Sequence, residues 1–305
     1  MTKPPITYSL VLGDALDWLL EQQPETVHAV VTDPPFGLVE YASEQLRKRR
    51  NGQGGIWRLP PSFDGWRRLP APRFTVLRPA DRNRIYDFHS RLAKACLRVL
   101  VPGSHVVMAS QSLLAHLVIR AFVGAGFEMR GQVARIVKTF RGGDRPKGAH
   151  EEFPEVSVMA RACWEPWLLF RKPCDGTVKE NLRRWGTGAL RRPSLDKPFS
   201  DLIQAGPPKA RERAVAPHPS LKPQELMRPL VWAALPFGRG VVVDPFMGSG
   251  ATIAAATALG LRAIGIESYA QYFVMAKRAV PILAAMKTRF DPGVELVDQR
   301  AEEGA

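Results

Sequence analysis

Two short apolar runs, each ending at an Asp-Pro pair, constrain the fold of this chain most strongly. Val27–Thr32 ends at Asp33-Pro34-Pro35-Phe36, and Val241–Val243 ends at Asp244-Pro245-Phe246-Met247-Gly248-Ser249-Gly250. A run that is apolar on both faces predicts a buried strand in a parallel sheet. Because such strands alternate with helices, we predict an α/β fold built on a doubly wound, mainly parallel sheet.

The apolar periodicity elsewhere in the chain indicates the same alternation. Strands are predicted at Tyr8–Leu12, Val27–Thr32, His105–Ala109, Gln132–Lys138, Trp167–Phe170, Val241–Val243 and Ala263–Ile266. Helices are predicted at Ala15–Gln22, Ile85–Val101, Ser112–Val123, Pro223–Leu235, Ser249–Leu259 and Ala270–Met286. Two long segments, Glu40–Arg84 and Thr139–Pro219, are largely irregular and rich in arginine, proline and glycine, which is typical of functional loops.

The positive charge of the chain is concentrated in these irregular segments. The 305 residues carry a formal charge of +14, of which Glu40–Arg84 contributes +7 and Arg135–Lys222 contributes +8. Two cationic segments beside a nearly neutral core are typical of a protein that binds a polyanion, usually DNA or RNA. The alternative is that these basic loops are solvated and bind nothing.

Composition argues against several other classes of protein. No apolar stretch approaches the ~20 residues of a membrane span, and the first residues lack the apolar segment of a signal peptide. We therefore expect a cytoplasmic protein that makes no membrane contact. The three cysteines, Cys96, Cys163 and Cys174, form no Cys-x-x-Cys pair, so we predict neither a disulfide framework nor a bound metal.

The glycine turn that follows Asp244 has the features of a cofactor site. Glycines at 248 and 250 let a ligand approach the backbone, and the helix that follows presents free N–H groups. Glu267 lies at the end of the next predicted strand, where a carboxylate of a βαβ unit can bind ribose hydroxyls. The alternative is a glycine turn that serves packing alone.

The Asp33–Phe36 segment combines acceptors with an aromatic ring. Pro34 and Pro35 fix the backbone and lack N–H donors, while their carbonyls remain as acceptors. Asp33 adds a carboxylate and Phe36 a flat apolar face. These groups match an exocyclic amino group on a planar base, although a strand that ends in a Pro-Pro turn would look the same.

These motifs resemble those of a known enzyme family. Asp33-Pro34-Pro35-Phe36 is similar to the catalytic Asp-Pro-Pro-Tyr of DNA amino-methyltransferases, and Asp244–Thr252 resembles their S-adenosylmethionine motif. His218-Pro219-Ser220-Leu221-Lys222-Pro223 is similar to the segment that completes their cofactor pocket. The order, with the catalytic motif first and the cofactor motif last, is that of the β class. The resemblance implies a permuted, Rossmann-like methyltransferase fold with a seven-stranded sheet.

The family resemblance also implies roles for individual residues. Asp33 and the Pro34 carbonyl would hold the target amino group, Pro35 belongs to the same catalytic motif, and Phe36, in place of the commoner tyrosine, would stack on the flipped base. The residues implied in cofactor binding are Asp14, His218, Lys222, Asp244, Phe246, Gly248, Ser249, Gly250, Thr252 and Glu267. Among these, Asp14 would approach the adenine end of the cofactor, and Lys222 or His218 its methionine carboxylate. The candidates for DNA contact are Arg47, Lys48, Arg49, Arg50, Arg58, Arg141, Arg183, Arg184, Arg191 and Arg192.

The same resemblance implies an organisation of the chain. Residues 1–138 would form the catalytic half with a DNA-contacting loop at 40–84, residues 139–217 a target-recognition region, residues 218–290 the cofactor-binding half, and residues 291–305 a flexible tail. The strand at 164–171 fits either the recognition region or the core. The implied partner is double-stranded DNA, which would place the protein on the nucleoid. A homodimer and a cognate restriction endonuclease are further expected partners.

Several alternatives remain open from the sequence. The family pattern, in which Asp usually accompanies adenine and Ser cytosine, favours adenine N6 over cytosine N4. An RNA or protein-glutamine methyltransferase would share the cofactor motif, and a basic binding protein without catalysis would share the charge. A C5-cytosine enzyme needs a nucleophilic cysteine; Pro173-Cys174 is such a pair, but the motif order does not fit that class.

Overall fold

The computed structural model describes residues 8–35, 62–63, 66–67, 79–137, 149, 151–158, 160 and 162–290. Its strands are β1 (Tyr8–Leu12), β2 (Val27–Thr32), β3 (Ser62–Phe63), β4 (Trp66–Arg67), β5 (Leu100–Ala109), β6 (Glu128–Ile136), β7 (Trp164–Arg171), β8 (Leu202–Gln204), β9 (Val241–Asp244) and β10 (Arg262–Glu267). Its helices are α1 (Ala15–Glu21), α2 (Pro79–Val99), α3 (Ala115–Gly124), α4 (Val178–Trp185), α5 (Ala210–Val215), α6 (Gln224–Ala234), α7 (Ala251–Ala258) and α8 (Ala270–Ala284).

Eight of the strands form one sheet in the order β1-β10-β9-β2-β5-β7-β6-β8, and β3 pairs with β4 separately. Within the large sheet β7 runs antiparallel to both of its neighbours, and the other seven strands run in one direction. The predicted mainly parallel α/β fold is therefore confirmed. The sheet has eight strands instead of the predicted seven, because the three-residue edge strand β8 is too short to show an apolar alternation.

Helices cover the sheet on both faces, as the apolar runs of the central strands require. Neighbouring residues of β2 face opposite ways: Val30 packs in the cluster that includes residues of α2 and α3, and Val31 in the cluster of α6, α7 and α8. Both are fully buried. The two cores leave the carboxyl ends of β2 and β9 at one edge, called here the carboxyl edge of the sheet, and this edge carries the candidate site.

Several predicted boundaries shift in the structure. Helix α2 begins at Pro79 instead of Ile85 and stops at Val99, because β5 already starts at Leu100. Pro102-Gly103, predicted to stop the helix, lies inside β5, where the register against β2 shifts. The strand at 164–171 lies within the core sheet, between β5 and β6. The 291–305 tail lies outside the described residues, as does most of the 40–84 loop.

Among the described residues, no helix combines the length and the apolar character needed to cross a bilayer. The same residues include no group of three or more histidine, cysteine, aspartate or glutamate side chains placed to hold a metal ion. The absence of a metal stays a prediction.

Candidate active site

The two Asp-Pro motifs meet at the carboxyl edge of the sheet, although 212 positions separate the residues that connect them. Strand β2 pairs in parallel with β9, so Asp33 and Asp244 stand at the ends of neighbouring strands. The buried hydroxyl of Thr32 donates to Asp244 Oδ1 at 2.7 Å. The structure thus brings the predicted catalytic segment and the predicted cofactor turn into one site.

The carboxylate of Asp33 is held by two residues of the segment that precedes α6. Ser220 Oγ donates to Asp33 Oδ2 at 2.7 Å, and the ammonium group of Lys222 donates to the same oxygen. Burial alone would lower the pKa of Lys222, but the charges of Asp33 and Glu165 outweigh it and raise that pKa above its ordinary value. Lys222 is therefore a cation at neutral pH, and the structure places it on Asp33.

His218 lies in the same segment, against the glycine turn. Its Nδ1 accepts a hydrogen bond from the Ser220 amide at 3.2 Å, which assigns the proton of the neutral ring to Nε2. Its ring is 4.3 Å from that of Tyr272, and a Cβ added at Gly248 would lie 3.1 Å from it. Burial lowers the pKa of His218 to about 4; Asp33 opposes this shift and Lys222 adds to it.

The depressed pKa of His218 gives a testable pH dependence. Because this pKa is about 4 in the folded protein and ~6.5 in an unfolded chain, the unfolded state binds more protons between these values. The free energy of unfolding therefore falls as the pH falls through this window. Between pH 7.5 and pH 5, we expect the free energy of unfolding to fall by about 2 kcal/mol more in the wild type than in His218→Gln. Urea denaturation of both proteins at the two pH values measures the difference, and equal losses would contradict it.

The glycine turn joins β9 to α7 with little space to spare. Gly250 is the N-cap residue of α7 and has a φ of +82°, and its amide donates to the Met247 carbonyl at 2.7 Å. A Cβ added at Gly250 would lie 2.5 Å from Val280 Cγ2 on α8. The turn is thus held in a conformation that glycine permits, with the first N–H groups of α7 at the site.

Asp244 acts as an internal brace for this turn. It is buried, and its Oδ1 accepts from Thr32 and, at 3.1 Å, from the Phe246 amide. Burial raises its pKa to about 6; hydrogen bonds from Thr252, Thr32 and the Phe246 amide oppose the shift, and the nearby charge of Asp33 adds to it. Asp244 therefore shapes the turn through hydrogen bonds to its own surroundings.

Glu267 ends β10 beside the turn. Its carboxylate accepts from the amides of Gly248, at 3.0 Å, and Tyr269, at 2.7 Å, and burial raises its pKa. Strand β1 pairs with β10 so that Leu12 lies opposite Glu267, which brings Asp14 to the same edge. Asp14 caps α1 by accepting from the amides of Leu16 and Asp17.

A cleft of about 370 Å³, including its open mouth, lies between Asp33 and the glycine turn. Its lining combines the two motifs with the segment before α6: Asp33, His218, Ser220, Leu221, Lys222, Met227, Asp244, Phe246, Met247, Gly248, Ser249, Ala251 and Thr252. Seven of the residues predicted from the sequence to bind cofactor thus line one cleft with Asp33. Gly250 lies within the same turn, and Glu267 binds the Gly248 amide of that turn.

Only four of the ten predicted DNA-contacting residues belong to the described part of the chain. The candidates that lie outside the described residues are Arg47, Lys48, Arg49, Arg50, Arg58 and Arg141, and the predicted stacking residue Phe36 lies outside them as well. Arg183 and Arg184 lie on α4, which follows β7; Asn181 of this helix donates to the Pro102 carbonyl near the start of β5. Arg183 and Arg184 therefore lie toward the amino-terminal ends of the parallel strands, away from the carboxyl edge that carries Asp33.

The other two described arginines make local contacts. Arg191 packs its guanidinium 3.3 Å from the centre of the Trp232 ring, and Arg192 donates to the Leu195 carbonyl at 2.7 Å. The Arg191 contact joins the segment between α4 and β8 to α6, whereas the Arg192 bond lies within that segment. DNA contact by any of these arginines stays a prediction.

Sequence reasoning missed three side chains around Asp33. Ser220 stands within the quoted His218–Pro223 segment, so its hydroxyl could have been noted there. Glu165 and Arg135 form an ion pair at 3.0 Å across β7 and β6, beyond Lys222. No local pattern marks that pair, because it depends on the register of two strands that an irregular segment separates.

With this geometry in place, comparison with known proteins identifies the family. A family model described as DNA methylase matches residues 27–278, which is most of the chain. This chain belongs to the N6/N4 DNA methylase family. The predicted assignment to the β-class DNA amino-methyltransferases is thereby confirmed, and the chain is a DNA methyltransferase.

Relatives match this methylase along most of their length. It is 33% identical over 281 residues to the type II methyltransferase M2.DpnII of Streptococcus pneumoniae, covering 91% of this chain and 92% of that protein. Among solved structures, the M1.HpyAVI complex with SAM superposes with a TM-score of 0.55 at 18% identity, covering 90% of this chain and 98% of that one. PvuII DNA methyltransferase, described as cytosine-N4-specific, gives 0.58 at 15% identity, with coverages of 96% and 90%. The two structures confirm the fold of the methylase.

Proposed function

We propose that this methyltransferase transfers a methyl group from S-adenosylmethionine to the N6 amino group of an adenine flipped out of double-stranded DNA. The observation that carries the proposal is the position of Asp33, at the cleft and beside the glycine turn. Both of its described hydrogen bonds, from Ser220 and Lys222, use Oδ2. Its Oδ1 is thus available to an amino group of the target base.

The residues of the cleft fit S-adenosylmethionine. The absence of a side chain at Gly248 leaves space that a Cβ would fill at 3.1 Å from His218, and the N-terminus of α7 opens on the same turn. Glu267, at the end of β10, would bind the ribose hydroxyls. When bound, the cofactor would supply an electrophilic methyl group on its sulfonium. The solved M1.HpyAVI relative is described as a complex with SAM, which supports this choice.

The residues around Asp33 would act by orientation and charge. Asp33 and the Pro34 carbonyl would accept the two N–H groups of the amino group, so that its nitrogen lone pair points away from them toward the cleft. Positioning of this kind contributes up to ~7–11 kcal/mol to a two-reactant step. The carboxylate would also stabilise positive charge that develops on the nitrogen. Extrusion of the base from the duplex costs a few kcal/mol, which DNA contacts must offset.

The choice of adenine rests on the Asp-Pro-Pro-Phe motif and its resemblance to adenine enzymes. The fold does not separate adenine N6 from cytosine N4, since a neighbour described as cytosine-N4-specific superposes as well as the others. Cytosine N4 is therefore the second candidate. Transfer to DNA is the common part of both.

The relatives also suggest a biological setting. M2.DpnII carries the description type II methyltransferase, which supports a restriction-modification role with a cognate endonuclease. A homodimer would suit a palindromic site by symmetry. A cytoplasmic, nucleoid-associated location and a recognition region at 139–217 complete the proposal.

A methyl-transfer assay tests the proposal against its alternatives. Labelled S-adenosylmethionine is offered with plasmid DNA, with RNA and with protein, and the DNA is then digested to nucleosides. We expect label in DNA as N6-methyl-2′-deoxyadenosine. Label in N4-methylcytosine would replace adenine by the second candidate, and label in RNA or protein would contradict a DNA substrate.

The basic segment after Asp33 gives a separate prediction. Neutralising Arg47, Lys48, Arg49 and Arg50 together should weaken DNA binding and flatten its salt dependence, by ~0.9 in the logarithmic slope for each phosphate that is no longer neutralised. Binding titrations at several salt concentrations measure the slope. An unchanged slope would show that these four side chains do not bind phosphates.

A further inference from the structure

One carboxylate oxygen near the site is buried without a described partner. Glu165 lies near the start of β7, with 11% of its side chain exposed. Its Oε2 accepts from Arg135 at 3.0 Å, whereas its Oε1 is buried and has no hydrogen-bond partner among the described residues. Leaving a buried acceptor without a hydrogen bond costs free energy of folding. The unpaired Oε1 therefore points to a second arrangement in which a donor reaches this oxygen.

The donor within reach is the ammonium group of Lys222. Its Nζ lies 3.9 Å from Glu165 Oε1 while it donates to Asp33 Oδ2 and lies 3.4 Å from Ser220 Oγ. An ammonium has three N–H donors, so one is still available for Glu165. A hydrogen bond of ~2.9 Å to Glu165 would require a shift of only about 1 Å.

The surroundings allow the lysine to move and hold the glutamate still. Arg135, which binds Glu165, is itself fixed by the carbonyls of Ala205, at 3.0 Å, and Gly206, at 2.7 Å. Lys222 is a long side chain whose charge is compensated by carboxylates on both sides. Charges therefore alternate along the carboxyl edge from Asp33 to Arg135, with a movable cation between two fixed anions.

We propose that Glu165 draws Lys222 away from Asp33 when the target base engages, so that the charge of Asp33 faces the amino nitrogen. This inference rests on the proposed function, because it assumes that the amino group meets Asp33. Positive charge develops on that nitrogen during methyl transfer, and an ammonium bound to the same carboxylate would offset its stabilisation. The hydrogen bond from Ser220, at 2.7 Å, keeps Asp33 oriented after the lysine shifts.

The first test compares two glutamates on the paired strands β6 and β7. Glu165→Gln keeps an oxygen for Arg135 but places an amide that cannot accept from Lys222 without giving up the bond to Arg135. The matched control is Glu128→Gln, since Glu128 binds Arg171 at 2.6 Å near the opposite edge. We expect kcat on plasmid DNA to fall about 10- to 100-fold in Glu165→Gln, with cofactor affinity and KM for DNA nearly unchanged. Glu128→Gln should keep the wild-type kcat.

A second comparison separates this positioning role from a structural one. In a Lys222→Met background the inference predicts that Glu165→Gln changes kcat by less than about twofold, because there is no lysine left to relocate. A similar loss in both backgrounds would mean that Glu165 acts through Arg135 and would overturn the proposal. A crystal structure with S-adenosylhomocysteine and target DNA gives the answer without activity. There, Lys222 within hydrogen-bond distance of Glu165 supports the proposal, and the present arrangement contradicts it.

These experiments also distinguish a failure of the proposed Lys222 movement from a failure of the proposed methyl transfer to DNA. If the wild type methylates DNA and Asp33→Ala does not, the proposed function is supported, independently of the result for Glu165→Gln. Equal kcat values for Glu165→Gln and Glu128→Gln would then overturn the inference alone. If Lys222→Met instead abolishes cofactor binding while Glu165→Gln is silent, Lys222 serves the cofactor, and the proposed movement is wrong.

Discussion

Asp33→Ala should abolish methyl transfer while leaving cofactor binding nearly intact. The carboxylate lies at the cleft and makes its described hydrogen bonds to Ser220 and Lys222, whereas the glycine turn is braced separately by Asp244 and Glu267. We expect kcat to fall ~10³-fold or more. The dissociation constant for S-adenosylmethionine, measured by calorimetry, should stay within about threefold of the wild type, because Asp33 contributes only part of the cleft.

Asp33→Asn serves as the control for charge. The amide keeps the size of the side chain and an oxygen for Ser220 and Lys222, so the local structure should be retained. If orientation alone mattered, this variant would keep substantial activity. We expect a loss close to that of alanine, because the amide carries no charge to stabilise the amino nitrogen. An active Asp33→Ala protein would exclude Asp33 from the reaction.

Gly250→Ala should destabilise the fold and weaken cofactor binding. The residue has a φ of +82°, which costs an alanine ~1–2 kcal/mol. Its new Cβ would lie 2.5 Å from Val280 Cγ2, and such overpacking costs ~1–3 kcal/mol more. The free energy of unfolding should therefore fall by about 2–5 kcal/mol in urea denaturation. Cofactor affinity should fall at least about tenfold, because the start of α7 must shift.

Gly260→Ala is the matched control for that substitution. Gly260 has a similar φ of +68°, but nothing lies within 4 Å of an added Cβ. It should therefore show the conformational cost alone, about 1–2 kcal/mol, with normal cofactor binding. Equal destabilisation of the two variants would mean that the contact between the glycine turn and α8 has no energetic role.

The parts of the fold that were predicted correctly have strong local signals. β2 and β9 are apolar runs that lead directly into an Asp-Pro pair, and the register between these two strands then places Asp33 beside the glycine turn. Helix α4 was missed although it begins with a readable capping box, in which Thr177 and Glu180 bond each other's backbone. Strand β8 offers only three residues and no periodicity.

The sequence motifs predict eight of the residues that line the cleft, Asp33 among them, but they do not show how these side chains contact one another. His218 and Lys222 were expected near the methionine end of the cofactor. The structure places the ammonium of Lys222 on Asp33, and the ring of His218 against Gly248. These contacts depend on how the segment before α6 crosses the carboxyl edge. Long-range placement of that kind follows from the packing of the whole sheet, which no short motif encodes.

The most direct test of the account is the sequencing of modified bases in DNA from cells that express the wild-type protein or Asp33→Ala. We expect N6-methyladenine at one recurring short sequence in the wild-type sample and its absence from the variant sample. The same modification in both samples, or no methylated amino group in the wild-type sample, would contradict it.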